Sequence, residues 1–273
     1  MKSLLCAIAK NENKYLDEWI KHHNNIGFDG IILYDNNDIN GEIINTKEYD
    51  SVKVIDYRGK HINVPEQWRT NNIPLHDGIQ EQAYNECYHT HAKQYDWVAF
   101  IDVDEFLFLE NDMKINDFLK QEKFNDVDAI QFNWETYGDN GKIKYENIPV
   151  LQRFTTKAKH QPPMVKTIVK TNNPNFVTLQ IHNAIIRNGK FSSPEGIKQT
   201  TSPIQYAQIK ENKIKHFYTK TLEEWIDRKC GKTNADGRDM LNIPEKRVAE
   251  FFIYNEKTEE KTNLIKSKLN IEI

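Results

Sequence analysis

Apolar residues follow two rhythms along this chain, with the change falling near residue 110. Ser3 to Ala9 is a compact apolar run, the pattern of a strand covered on both faces. In "NENKYLDEWIKHHNNIG", Leu16, Trp19, Ile20 and His23 recur at helical spacing, and Gly27 offers a C-terminal stop. "GIILYD", Gly30 to Asp35, reads as a second buried strand. Strand, helix and strand in this order predict a βαβ unit with parallel strands. "VKVIDY" at 52–57 predicts a third strand. The irregular "RGKHINVPEQWRTNNIPLHDG" after it has the length of a functional or mobile loop. Ile79, Ala83 and Cys87 then mark a helix leading to a strand at Trp97 to Ile101.

Beyond Leu109 the apolar positions alternate with polar ones. "INDFLKQEKF" predicts a short helix, and "AIQFNW", "VLQRF", "MVKTIVK", "FVTLQIH" and "KIKHFY" predict half-exposed strands. Thr221 followed by Glu224 is a capping-box signature opening a helix through "LEEWIDRKCGK". Pro244 to Ile273 reads as an amphipathic helix or helix pair on the surface. The predicted class is α/β, a Rossmann-like mixed sheet flanked by helices. Residues 1–243 are expected to form one domain in two halves, 1–110 with the alternation of an open, nucleotide-binding type of sheet and 111–243 with half-exposed strands, and 244–273 a C-terminal helical extension.

The chain of 273 residues carries a formal net charge of −3, without the basic footprint of a nucleic-acid binder, so nucleic acid is not an expected partner. Cys6, Cys87 and Cys230 are odd in number and widely spaced, as suits reduced thiols in the cytoplasm. The apolar run in "MKSLLCAIAKNE" is too short for a signal-peptide core or a membrane span. A cytoplasmic protein is expected, with peripheral membrane contact still open to it.

The chemistry concentrates in "WVAFIDVDEFLFLE", where an apolar strand runs into Asp102, Asp104 and Glu105. Ligands of open α/β sheets sit beyond the carboxyl ends of strands. Strand alternation would aim Asp102 and Asp104 the same way, with Val103 opposite. Two converging carboxylates repel unless a cation lies between them, and oxygen ligands favour Mg²⁺ or Mn²⁺. A solvated acidic turn is the plainer alternative. The preceding strand, the βαβ start and Glu105-Phe106 favour the metal. Loss of either carboxylate is then expected to remove activity and leave the fold intact.

"AKNENKYLDEWIKHHNNIGFDGIILYDNND", "FIDVDEF", "WETYG" and "HFYTKTLEEWIDRKCGK" resemble, in this order, the motif series of glycosyltransferase family 92 and related family-2-like bacterial glycosyltransferases. The resemblance covers about residues 4 to 232 as ordered motifs. It implies a GT-A-like fold and metal-dependent transfer from a nucleotide sugar, with a UDP-sugar favoured, to a glycan or lipid-linked acceptor, with 1–110 as the nucleotide-binding half and 111–243 as the acceptor half. It also points to inversion and to surface polysaccharide synthesis.

By this resemblance Lys10, Asn11 and Glu12 hold the nucleotide, and Asp35, Asn36 and Lys220 also contact the donor. A helix cap with an acidic first turn explains Asn11 and Glu12 equally well. Asp102 and Asp104 match the DxD motif that holds the metal on the donor diphosphate, and His216 matches a late histidine that contacts the metal or the diphosphate, a backbone-satisfied strand histidine being the plainer alternative. Arg228 and Lys229 join Lys220 as phosphate candidates, although an exposed helix face would account for all three. Trp134, Tyr137 and His182 are candidate acceptor contacts, although core packing would account for Trp134 taken alone and a structural role would account for His182 equally well. The base that takes the acceptor proton falls among Glu135, Asp139 and Glu195, with Glu135 and Asp139 preferred.

Other enzyme classes fit less well. A dehalogenase-type phosphatase would place DxD near the N-terminus. Asp102 and Asp104 stand too close together to flank a glycosidic bond. A sugar nucleotidyltransferase lacks its Gly-rich, Lys-containing loop here, and a non-catalytic nucleotide-sugar-binding relative is the non-enzyme alternative.

Overall fold

Strand β1 (Ser3–Ala9) is buried along its whole length. Alternation sends Leu5, Ala7 and Ala9 to one face and Leu4, Cys6 and Ile8 to the other, and each set joins a different hydrophobic cluster. The computed structural model behind this description covers residues 1–60, 78–202, 210–230 and 243–271. Most of the irregular segment after "VKVIDY" lies outside the described residues.

Helix α1 (Asn13–Ile26) buries Tyr15, Leu16, Trp19, Ile20 and His23 against the first cluster. It ends at Gly27, whose φ of 98° is left-handed and whose N–H donates to the His23 and Asn24 carbonyls. A Cβ at Gly27 would meet only the Lys114 side chain, at 3.6 Å, so the backbone sets the cost of adding one. Gly27→Ala should therefore lower stability by about 1 kcal/mol in a urea titration. An unchanged midpoint would show that the turn relaxes.

β1 pairs in parallel with β2 (Gly30–Asp35), and β2 with β3 (Val52–Asp56). Helix α2 (Ile79–Glu86) continues as one π turn, Cys87–His91, before β4 (Trp97–Phe100) joins the other edge of β1 in parallel. Next come β5 (Glu105–Phe108), α3 (Ile115–Leu119), β6 (Ala129–Thr136), α4 (Val150–Arg153), β7 (Val165–Lys170), β8 (Phe176–Leu179), β9 (Ala184–Ile186), β10 (Phe191–Ser192), β11 (Lys198–Gln199) and β12 (Lys213–His216). The main path of the sheet runs β11-β10-β6-β7-β4-β1-β2-β3. β7 lies antiparallel between β4 and β6. The sheet is thus mixed, as expected, with helices on its faces.

Strand β6 serves two neighbours. Ala129 to Asn133 pair with β7, and Trp134 to Thr136 turn to pair with β12, which also pairs antiparallel with β5. This hand-over brings the late histidine beside the acidic segment.

One expected strand is a helix. "VLQRF" forms α4, because Pro149 precedes it and the Glu18 carboxylate accepts the Val150 and Leu151 N–H groups at 2.6 and 2.9 Å. A carboxylate from α1 thus caps α4, which local periodicity could not reveal.

Thr221 caps α5 (Leu222–Lys229) with the expected reciprocal bonds to Glu224. Helices α6 (Pro244–Tyr254) and α7 (Glu259–Leu269) place Val248, Phe251 and Ile265 in one cluster with Leu222, Trp225 and Ile226 of α5. Among the described residues no helix is long and apolar enough to cross a membrane.

Candidate active site

A cleft of about 440 Å³ opens at the carboxyl ends of β1 and β4. Lys10, Asn11 and Glu12 follow β1 into it, and Asp102 to Asp104 follow β4. Helix α5 supplies Arg228 and Lys229, and α6 supplies Arg247 and Tyr254.

The acidic segment is a turn and not the end of a strand. Glu105 N–H donates to the Asp102 carbonyl at 3.0 Å, and the Glu105 carboxylate accepts the Asp102 N–H at 3.0 Å. The Trp19 indole N–H, inserted from α1, reaches both the Asp102 and Glu105 carbonyls, at 3.0 and 2.9 Å. Strand alternation fails inside such a turn, so Asp102 and Asp104 meet different partners instead of aiming at one point.

Asp102 accepts from Gln80 at 2.7 Å and from Tyr84 at 2.8 Å through Oδ1, while Oδ2 faces Lys166 Nζ at 2.9 Å. Burial pushes its pKa up, but Lys166 outweighs burial and holds it below the ordinary range. Asp104 Oδ2 accepts from Arg228 at 2.9 Å and lies 3.9 Å from Lys220 Nζ, and Oδ1 lies 3.6 Å from His216 Nε2. Against the upward push of burial, Lys220, His216 and Arg228 hold Asp104 well below the usual carboxylate range. Glu105 behaves oppositely. Burial, with Asp102 and Asp104 adding to it, drives its pKa well up, and Lys166 offsets this only in part.

Register explains the meeting of Glu105 and His216. They stand directly opposite each other across the β5–β12 ladder, so their side chains leave the same face of the sheet. With Asp104 they form the group of described residues able to hold a metal ion, one ligand atom from each lying within 4.8 Å of the others. Glu105 Oε1 and His216 Nδ1 are buried without hydrogen-bond partners. Burial keeps His216 below its ordinary pKa despite Asp104, which favours the neutral, metal-binding imidazole. Two carboxylates and one imidazole suit Mn²⁺ or Mg²⁺, so the residues fit the expected ion. Glu105 is not among the metal ligands expected from sequence. Its place in "DVDEF" beside the DxD pair was the available signal.

Three buried cations surround the acidic group. Arg228 bridges Asp104 and Glu12, donating from Nε to Glu12 Oε1 at 2.7 Å. Lys166 lies between Asp102 and Glu105. Lys220 has a left-handed φ of 54°, which is strained for a long side chain. Its Nζ sits 3.8 Å from Glu12, 4.4 Å from the Tyr15 ring centroid, and in no hydrogen bond. Burial and the neighbouring Arg228 hold Lys220 down at about 8.

The other expected residues divide. Trp134 and His182 line the cleft. Lys10 also lines it and pairs with Asp38 at 3.2 Å. Asn11, with φ of 59°, donates its N–H to Asn37. Asp35 and Asn36 do not line the cleft. Asp35 accepts the Asn37 and Ile44 N–H groups, and the Asn36 amide donates to the Tyr57 and Lys60 carbonyls, so the pair shapes the loop that steadies Asn11.

Glu135, Tyr137 and Asp139 also lie outside the cleft lining. Glu135 follows Trp134 on β6 and so faces the other way, where Lys157 at 2.7 Å, Lys213 at 3.2 Å and the Tyr137 hydroxyl at 2.8 Å hold it. Asp139 pairs with Lys261 of α7 and accepts the Gly141 N–H. Glu195 sits in the β10–β11 hairpin, away from the cleft lining. Among the described residues the carboxylates lining the cleft are Glu12, Asp102 and Asp104.

Comparison with known proteins agrees with the motif order. A glycosyltransferase family 92 protein of Oryza sativa subsp. japonica is 24% identical over 249 residues, covering 88% of this chain and 37% of the relative. Another, from Ricinus communis, is 25% identical over 190 residues, covering 68% and 32%. The chain thus spans about a third of the length of the curated relatives it matches. Solved structures are more distant. An active-site mutant of LgtC gives a TM-score of 0.30 at 16% identity, covering 48% of this chain and 46% of that one. Core-mannan synthase A from Aspergillus fumigatus, in a Mn/GDP form, gives 0.28 at 13%, covering 52% and 44%. Likeness of that size carries no argument about the site. The profile described as Glycosyltransferase family 92 matches residues 5–251, and the chain belongs to that family.

Proposed function

We propose that this chain moves a sugar from a nucleotide-sugar donor to a hydroxyl acceptor, using a GT-A-like layout with the donor diphosphate between the Asp102–Glu105 turn and α5. The observation that carries this reading is the meeting of Asp104, His216 and Arg228 at the cleft wall, with Glu105 and Lys220 buried directly behind them. A departing nucleoside diphosphate gains negative charge. A divalent ion held by Asp104, Glu105 and His216, with Asp102 beside it, would stabilise that charge without proton transfer. Lys220 and Arg228 supply fixed positive charge on the same side, in a setting where burial strengthens it.

We read the donor as a UDP-sugar, the outcome as inversion and the setting as surface polysaccharide synthesis on a glycan or lipid-linked acceptor, all from family membership. The free, buried cysteines suit a reducing compartment, and we place the protein in the cytoplasm or at its membrane surface.

A thermal-shift screen of nucleoside diphosphates and nucleotide sugars, with and without Mn²⁺, tests the reading. A ligand at a hundredfold over its dissociation constant should stabilise the fold by about 2.7 kcal/mol, and more strongly with Mn²⁺ present. Absence of any shift across the panel, with or without the ion, would refute the donor site.

A further inference from the structure

Beyond the carboxylates the cleft carries a succession of aromatic rings drawn from distant parts of the chain. In spatial order they are His182 after β8, Trp134 on β6, His216 on β12, Tyr218 just beyond it, Tyr254 at the end of α6, and His160 ahead of β7. Neighbouring ring centroids lie 5.1, 4.1, 5.2, 5.4 and 5.3 Å apart in that order. All but His160 line the cleft.

Trp134 and Tyr218 each pack one side against a hydrophobic cluster, and packing leaves part of each ring exposed. Trp134, His182, Tyr218 and Tyr254 are half-buried, His160 is exposed and His216 between them is buried, so the accessible rings are Trp134, His182, Tyr218, Tyr254 and His160. Trp134 Nε1 and His182 Nδ1 have no hydrogen-bond partner, although each atom is shielded from water. Buried polar atoms are rarely left so, and two on adjacent rings point to a partner with hydroxyl groups. The track is also held rigid. The Tyr218 hydroxyl donates to Glu250 of α6 at 2.5 Å, the Trp225 indole donates to the Arg247 carbonyl at 2.8 Å, and Thr167 donates to the His182 carbonyl at 2.7 Å.

A pyranose ring presents an apolar C–H face to an aromatic ring and hydroxyls at its rim. We infer that this track is the acceptor subsite and that it takes an oligosaccharide of at least two sugar units. The terminal unit sits at Trp134 and His182, beside the His216–Asp104 pair, and the preceding units run over Tyr218 and Tyr254 toward α6. The inference rests on the glycosyltransferase reading. It adds Tyr218 and Tyr254 to the acceptor contacts expected from sequence and makes α6 part of the site.

The test is binding to a printed array of neutral mono- to hexasaccharides, with Mn²⁺ and a nucleoside diphosphate present, for the unaltered chain and for Tyr254→Ala, Tyr254→Leu and Tyr254→Phe. Oligosaccharides should be retained over monosaccharides. The alanine and leucine variants should lose about tenfold in affinity for them, as removal of one stacking ring implies, and the phenylalanine variant should keep it. Leucine preserves bulk, so it answers the question even where alanine fails to fold. Nucleoside-diphosphate binding, measured in parallel by thermal shift, should be the same in all four proteins. Oligosaccharide binding that survives Tyr254→Leu, or a chain that binds nucleoside diphosphate but no oligosaccharide, overturns the inference. Failure to bind nucleoside diphosphate overturns the glycosyltransferase reading itself.

Discussion

Asp104→Asn should reduce sugar transfer about 10³-fold and abolish the effect of Mn²⁺ on nucleoside-diphosphate affinity. A metal stabilises a developing charge by several kcal/mol, and each ~1.4 kcal/mol is worth a factor of ten in rate. Asp104 is where the acidic group meets His216 at 3.6 Å, Arg228 at 2.9 Å and Lys220 at 3.9 Å. Its loss removes a ligand and leaves two buried cations sharing Glu12. Stability should fall as well. The sequence alone suggested that losing a carboxylate would leave the fold intact, but in the folded protein Lys166, Lys220 and Arg228 already oppose carboxylate repulsion. Removing one anion therefore strands a buried cation. Asp102→Asn should show the stability loss through Lys166 and a smaller change in Mn²⁺ dependence, because Asp102 is engaged by Gln80, Tyr84 and Lys166. Transfer by Asp104→Asn within tenfold of the unaltered chain would remove Asp104 from the metal site.

Glu224→Gln should destabilise the fold by about 3 kcal/mol at neutral pH and flatten its acid sensitivity. Glu224 is fully buried. It accepts from both terminal nitrogens of Arg153 at 2.8 and 2.9 Å and from the Tyr15 hydroxyl at 2.6 Å, while capping α5 through Thr221. Burial raises its pKa, but Arg153 and Tyr15 together outweigh this and hold it at about 2, against an ordinary value of 4.5. At roughly 1.4 kcal/mol per pH unit that depression corresponds to about 3 kcal/mol. The group is deprotonated in both states above pH 4.5, so its contribution is fully present there and is lost as pH falls from about 4.5 toward 2. Breaking one side of a buried pair carries a similar cost, about 3 to 5 kcal/mol, because Arg153 is left uncompensated. Urea titrations of both proteins between pH 7 and pH 3 would check this. Equal slopes with pH would mean that Glu224 does not carry the acid limb.

Several site residues were legible in part. The expected strand stopped at Trp134, whereas β6 runs on to Thr136, and its alternation places Trp134 and Glu135 on opposite faces, so they do not both face one cleft. Arg228 and Lys229 in a capped helix were read as phosphate candidates, and Arg228 proves to bridge Glu12 and Asp104. Nothing local marked Lys166, Tyr218 or Tyr254. Their roles depend on partners from other strands and helices.

The chain by itself determined whatever a few adjacent residues can express. The unbroken apolar runs of β1 and β2, the stripe and Gly27 stop of α1, the Thr221–Glu224 cap and the apolar lead into Asp102 are all of this kind, because propensity, periodicity and capping act over one or two turns. Tertiary structure decided what depends on register and on contacts between distant segments. It turned "VLQRF" into a helix through Glu18, parted Asp102 from Asp104 in a turn, and set His216 opposite Glu105 across β5 and β12. A one-residue slip of β12 would turn His216 to the other face, and no pattern within "KIKHFY" excludes that slip. The packing of Ile214 and Phe217 into the core does.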